Sequence, residues 1–189
     1  SVRIPAAWND LVGLKTTAGR LPLKGVVPLV ESFDTVGPLC RNVEDAALHL
    51  AALEGGRPAD LAGATLKAAR FLVLETVAHD DIRPEPAAGF ARALDALRDA
   101  GATLVEGAVP ELAEAMGLSG VLYTTEAYAT WRAEIEAAPQ RMYPPILERF
   151  RAGAQHSGVD FVAAWRWLRA LREVWADRTA VYDAVLVPT

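Results

Sequence analysis

The clearest alternation of apolar and polar positions lies in the middle of the chain. Arg70–Glu75 (RFLVLE) is a short apolar run bounded by polar turns and predicts a strand. Phe90, Leu94 and Leu97 then recur at helical spacing, in a segment from about Pro86 to Ala100 with Gly101 just past its end. Ala102–Glu106 (ATLVE) is a second brief apolar run. Strand, helix and strand in about 35 residues predict a parallel βαβ unit with a right-handed crossover. From Glu111 the pattern is mainly helical. Its longest periodic run is Val159–Ala180, where Phe161, Trp165, Leu168 and Leu171 or Arg172 share a face, with Trp175 one turn on. Asp183–Thr189 (DAVLVPT) predicts another buried strand.

Residues 1–41 are punctuated by glycine and proline. Within them Leu11–Thr17 and Gly25–Val30 predict short strands or extended segments, although Pro28 argues against a central, fully hydrogen-bonded strand position. A helix follows: Asn42 can cap it, Asp45 stands three residues on, and Gly55-Gly56 stops it. Val43, Ala46, Ala47, Leu50 and Leu53 form its expected buried stripe. These elements predict an α/β fold, a mixed β-sheet core flanked by helices in one layered domain. Residues 1–55 form its opening segment, 56–110 the βαβ unit, and 111–189 a helical segment with a closing strand. The sequence begins on Ser1 with no Met and stops at Pro188-Thr189, in the middle of an expected strand exit, so both ends read as cut.

Composition narrows the classes. Apolar residues make up 52% of 189 and charged residues 23%, enough for a substantial core. The net charge of −5, with arginines scattered singly, shows no basic face for a phosphate backbone, and no nucleic-acid partner is expected. No apolar run approaches the roughly 18 residues that span a bilayer, so no membrane association is expected. The single cysteine, Cys40, excludes an internal disulfide framework and fits a reducing cytoplasm. His49, His79 and His156 have no metal-ligand spacing, and neither a GxSxG elbow, a P-loop nor a GxGxxG occurs. No metal or cofactor is expected.

The specific signal is the opening stretch. Ser1-x-Arg3-x-Pro5-Ala6 is followed by Gly13-Leu14-Lys15-x-Thr17 and Gly19-Arg20. Then come Gly25-x-x-Pro28, Ser32-x-Asp34-x-x-Gly37-Pro38, Arg41 and Asp45. This register closely resembles the amidase signature family, in the stretch that runs on from its glycine-glycine-serine motif. Later parts resemble it more loosely: LKAARFLVLE, AGATLVEGAVPEL and YDAVLVPT are similar to its successive strands. Thr16 departs from the family, which usually has proline there.

The resemblance implies hydrolysis of a carboxylic amide C–N bond through an acyl-enzyme on a serine. It releases ammonia or an amine, from a small-molecule amide substrate and without a cofactor. By register Ser1 is the nucleophile, and its backbone N–H contributes to the oxyanion hole. The family's catalytic lysine and its cis-serine lie upstream of this motif, outside these residues; Lys15, Lys24 and Lys67 do not sit in the lysine's motif. A serine hydroxyl needs a base to take its proton, so the chain by itself is expected to be close to inert. Arg3 and Asp34 would support the loop that presents Ser1, either as an ion pair or each by satisfying turn carbonyls or amides. Pro5 suits the first turn of a short helix through AAWND, and Gly13, Gly19, Gly25 and Gly37 suit turns and close packing behind it. Tyr123 and Tyr128, in the variable stretch Ser119–Trp131, are candidates to line the acyl pocket, with core packing as the alternative. The family also includes the glutaminase component of glutamyl-tRNA amidotransferase, which usually carries glutamine where this chain has Thr35. Two further alternatives stay open: an N-terminal-nucleophile hydrolase using the α-amine of Ser1, and a non-catalytic scaffold of the same fold. A homodimer remains an option.

Overall fold

Helix α1 (Arg3–Trp8) opens the computed structural model, which describes residues 2–189. It turns into strand β1 (Val12–Gly13), which pairs antiparallel with β2 (Leu39–Cys40), Val12 opposite Cys40 and Gly13 opposite Leu39. Only these two residues of Leu11–Thr17 join a ladder. Gly25–Val30 forms no strand at all: Gly25 takes φ +86, a left-handed turn conformation, and Pro28 has no N–H to give a neighbour. Helix α2 (Val43–Glu54) starts as its sequence predicts, the Asn42 side chain accepting from the Asp45 N–H at 2.7 Å. It stops at Gly55, whose φ of 70° brings its N–H onto the carbonyls of Ala51 and Ala52. The expected stripe is only partly buried. Ala46 and Ala51 lie inside, whereas Val43 and Leu53 are 57% and 47% exposed. The helix packs on β1 and β2, and strands two residues long are too short to cover its first and last turns.

The described residues fall into two compact units, one up to Thr65 and one over Leu66–Pro188. In the second, β3 (Arg70–Glu75) lies between β4 (Thr103–Ala108) and β5 (Ala184–Leu186) and runs parallel to both. The connection from β3 to β4 contains helix α3 (Pro84–Asp99), which begins two residues earlier than its apolar pattern suggests because Pro84 is well placed in a first turn. Gly101, at φ +90, ends it. The crossovers that connect parallel strands cover both faces of their sheet, and Leu72, Val73 and Leu74 are all 7% exposed or less. Leu72 and Leu74 form the core with Val109, against Leu112, Trp175, Tyr182 and Val185. Just ahead of its ladder with β3, the closing strand is also tied in by Asp183: its carboxylate accepts the Arg70 N–H at 2.7 Å while its N–H donates to the Arg70 carbonyl at 2.8 Å.

Helices fill the stretch between β4 and β5. These are α4 (Glu111–Gly117), a π-helical turn (Gly120–Thr124), α5 (Thr125–Ala137), α6 (Pro144–Arg151) and α7 (Gly158–Thr179). A reciprocal cap starts α7. Ser157 Oγ accepts the Asp160 N–H at 3.1 Å, and the Asp160 carboxylate accepts the Ser157 N–H, also at 3.1 Å. Of the two residues between which the helical pattern left a choice, Leu171 is the buried one, and Ala164 joins it inside. Among the described residues no helix is long and apolar enough to cross a membrane.

Gly153, just after α6, is buried against the π-helical turn: a Cβ there would lie 2.0 Å from the Thr124 carbonyl oxygen. Backbone cannot yield as a side chain does, so Gly153→Ala is expected to cost at least about 3 kcal/mol. Gly120→Ala meets open space and is expected to be neutral or to stabilise by up to about 1 kcal/mol. Urea unfolding of the two variants checks the contrast.

Candidate active site

The frame around the start of the chain is built from close backbone approaches. Helix α1 is short; the Val2 carbonyl accepts the Ala6 N–H at 3.2 Å, and the Ala6 carbonyl accepts from Asn9 and Leu11 at 3.1 and 2.9 Å. Ala6 is buried, and beneath it runs β1. A Cβ on Gly13 would sit 2.6 Å from Ala6 Cβ and 2.8 Å from the Val2 carbonyl oxygen, so only glycine lets the strand pass under the helix. The second approach is tighter. A Cβ on Gly37 would fall 1.9 Å from the Leu14 carbonyl oxygen, where Leu14 donates its N–H to the Pro38 carbonyl at 3.1 Å. Thr16, at the position where proline is usual, is 4% exposed and its hydroxyl donates to the Val36 carbonyl at 2.8 Å. That bond ties the outgoing limb of the loop to the returning one.

Ser1 lies outside the described residues. Among those described, no ion pair joins Arg3 to Asp34. Asp34 instead satisfies turn amides: its Oδ2 accepts the N–H of Leu29 at 2.7 Å and of Val30 at 3.1 Å, while the Val30 carbonyl accepts from Phe33 and Asp34 at 2.8 Å each. Val30 is thereby fixed at 1% exposure. Arg3 is exposed and close enough to act on Lys15, whose ammonium donates to the Thr16 carbonyl at 2.6 Å. Burial, and after it the Arg3 charge, push the Lys15 pKa below its ordinary value. His49 and His79 are spent on backbone carbonyls, those of Asp45 at 2.8 Å and Leu74 at 3.2 Å. Cys40 is buried, with its sulfur 3.6 Å from His49 Nδ1.

In the second unit Tyr123 stands in the π-helical turn, 42% exposed. Tyr128 is half-buried on α5 and donates its hydroxyl to Glu136 Oε1 at 3.1 Å. Glu136 in turn takes both arms of Arg151, from Nε at 2.9 Å and Nη2 at 2.6 Å. Nothing in the sequence marks this three-residue clamp: Glu136 and Arg151 are fifteen residues apart, and each is one charge among many. Among the described residues, no three His, Cys, Asp or Glu side chains gather as metal ligands would.

A family model described as Amidase matches residues 1–189. The chain belongs to the amidase family. Over its whole length it is similar, at 36% identity, to 2-amino-5-chloromuconic acid deaminase of Comamonas testosteroni, of which it covers 42%. It is 38% identical over 143 residues, 67% of the chain, to the A-type component of glutamyl-tRNA(Gln) amidotransferase from Rhodospirillum rubrum, and covers 28% of that protein. The crystal structure of an amidase matches 98% of the chain with a TM-score of 0.87 and 28% identity, and 42% of that amidase is covered. The chain thus spans less than half the length of these relatives.

Within this member of the amidase family, Gly13 and Gly37 allow the close approaches of the first unit, and Asp34 holds the loop. Asp34→Ala removes the acceptor from two amides and is expected to cost about 1–2 kcal/mol. Asp34→Asn, which keeps one oxygen, is expected to cost less; thermal unfolding of both ranks them. In the second unit the clamp titrates. Hydrogen bonds from Arg151 hold the Glu136 carboxyl below its ordinary 4.5; lost hydration opposes them and the Tyr128 hydroxyl adds to them. A carboxyl lowered in the folded state stabilises fully above its unfolded value, and that contribution disappears as pH falls through the lowered one. The Arg151 Nε–H signal in NMR is therefore expected to hold steady at neutral pH, to shift only in acid below about 4.5, and to lose this titration in Glu136→Gln.

Proposed function

We propose that this chain is the nucleophile-bearing part of an amide hydrolase, with Ser1 as the attacking residue. The observation that carries the reading is the family match over residues 1–189, together with the unbroken motif register from Ser1 to Asp45. In this reading Ser1 Oγ bonds to the amide carbonyl carbon and gives up its proton to a base. The tetrahedral intermediate then expels the nitrogen, which leaves as ammonia or an amine after receiving that proton. Water cleaves the resulting ester and restores the hydroxyl. The base is the family's neutral lysine, acting through its bridging serine, and both are supplied by sequence ahead of Ser1. Backbone N–H groups at the serine stabilise the oxyanion; losing one such donor costs about 2.7–4 kcal/mol in a related setting. Arg3 and Asp34 act on the loop rather than on the substrate, and Tyr123 and Tyr128 contact the acyl group. A single, buried, unpaired cysteine supports a cytoplasmic enzyme.

The match to the Rhodospirillum rubrum amidotransferase component favours a second reading, a glutaminase that delivers ammonia to a partner. Thr35 after Asp34, in place of the usual glutamine, weighs against it. One assay separates the two. The natural polypeptide containing these residues, given small aliphatic and aromatic amides, is expected to release ammonia or amine without any partner, and Ser1→Ala to lower kcat by on the order of 10^3-fold or more. Turnover of glutamine alone, and only with a partner, would support the glutaminase. Wild-type turnover that survives Ser1→Ala would overturn the assignment of Ser1.

A further inference from the structure

A cavity of about 330 Å3 opens between α5, the turn Pro139–Arg141 and α6. Its wall is apolar, with two aromatic side chains: Trp131, Ile135, Met142 and Phe150. Its two charged lining residues, Glu134 and Arg141, are exposed. Among the described residues these two form no ion pair with each other and no side-chain hydrogen bond with any other group. A carboxylate and a guanidinium that face solvent beside one apolar cavity, and do not neutralise each other, are both available to a ligand.

The cavity is held open by the chain around it. Helix α5 ends at Ala138, with φ −152° and ψ 59°, and Pro139 starts a 3-10 turn whose carbonyl accepts the Met142 N–H at 3.1 Å. Pro144 and Pro145 then begin α6. Arg151 of α6 grips Glu136 of α5 with two hydrogen bonds, at 2.9 and 2.6 Å, while Tyr128 adds a third. The two helical walls are therefore joined before anything binds, and a preformed cavity spares a ligand the cost of ordering it. A volume near the low end of the range for small-molecule sites, about 300–1,000 Å3, suits a compact ligand.

The geometry points to a site for an apolar α-amino acid, bound through its carboxylate to Arg141, its ammonium to Glu134 and its side chain among Trp131, Met142 and Phe150. Charge decides against simpler ligands. An aryl acid would satisfy Arg141 and meet the like charge of Glu134; an aryl amine would do the reverse. A molecule that carries an ammonium and a carboxylate on one carbon uses both residues, and charge-assisted hydrogen bonds are the stronger kind. The inference does not depend on amide cleavage or on Ser1.

Calorimetric titration of the natural polypeptide with L-phenylalanine, 3-phenylpropionate and phenethylamine tests it. Phenylalanine is expected to bind saturably at one site, and each one-charge analogue about tenfold or more weakly. Arg141→Gln and Glu134→Gln are each expected to weaken phenylalanine by a similar factor, and Glu134→Gln to narrow the gap between phenylalanine and 3-phenylpropionate. Both residues are exposed, so unchanged melting temperatures are expected for the variants. The proposal is overturned if phenylalanine shows no saturable heat up to about 10 mM, if neither substitution changes its affinity, or if 3-phenylpropionate binds as tightly.

Discussion

The Leu14 carbonyl oxygen occupies the space where any residue but glycine at position 37 would carry its Cβ. Much of the first unit follows from that contact. With the two backbones this close, Leu14 can donate to Pro38, and Val12 and Gly13 can pair with Cys40 and Leu39. The loop between them must then return on itself within two dozen residues. Thr16 closes its base by bonding to Val36, and Asp34 closes its tip by collecting the amides of Leu29 and Val30. Helix α1 rests on the same ladder through Gly13. The Val2 carbonyl accepts the Ala6 N–H and lies close against Gly13, so it is held by backbone contacts.

The second unit reaches order by a different route. Its centre is β3, the strand between β4 and β5, whose Leu72 and Leu74 pack with Val109 against Leu112, Trp175, Tyr182 and Val185. The helices between β4 and β5 are less buried individually and are held by point contacts. Gly153 lets the end of α6 approach the Thr124 carbonyl, and Arg151 binds Glu136 on α5. A π-helical turn sits at this crossing, and such turns are frequent at functional positions because the extra residue shifts side chains out of helical register. Tyr123 lies within it.

The motif residues with described structure lie in the first sixty-five residues, where Gly13, Gly37 and Asp34 serve backbone geometry. Ser1 is proposed as the nucleophile from the motif register. An apolar cavity with two charged residues beside it lies in the second unit, outside the motif.

The sequence by itself determined the local elements. Strand β3 matches its apolar run residue for residue, α2 its cap and glycine stop, and α7 its periodic run to within a residue at each end. Those signals are local: a cap, a left-handed glycine or a 3.6-residue repeat acts within one turn of chain. It also determined the family, because a motif register survives as spacing alone. Tertiary structure decided what depends on partners distant in the chain. Val43 and Leu53 fit the apolar pattern of α2 but stay exposed, because coverage is set by how far β1 and β2 extend. Asp34 was legible as a supporting charge; that it serves loop amides rather than Arg3 was not, since turn geometry chose its partner. The Tyr128–Glu136–Arg151 clamp, and the cavity whose walls it joins, exist only because two helices cross. Side chains that meet through such a crossing leave no periodic trace in the sequence.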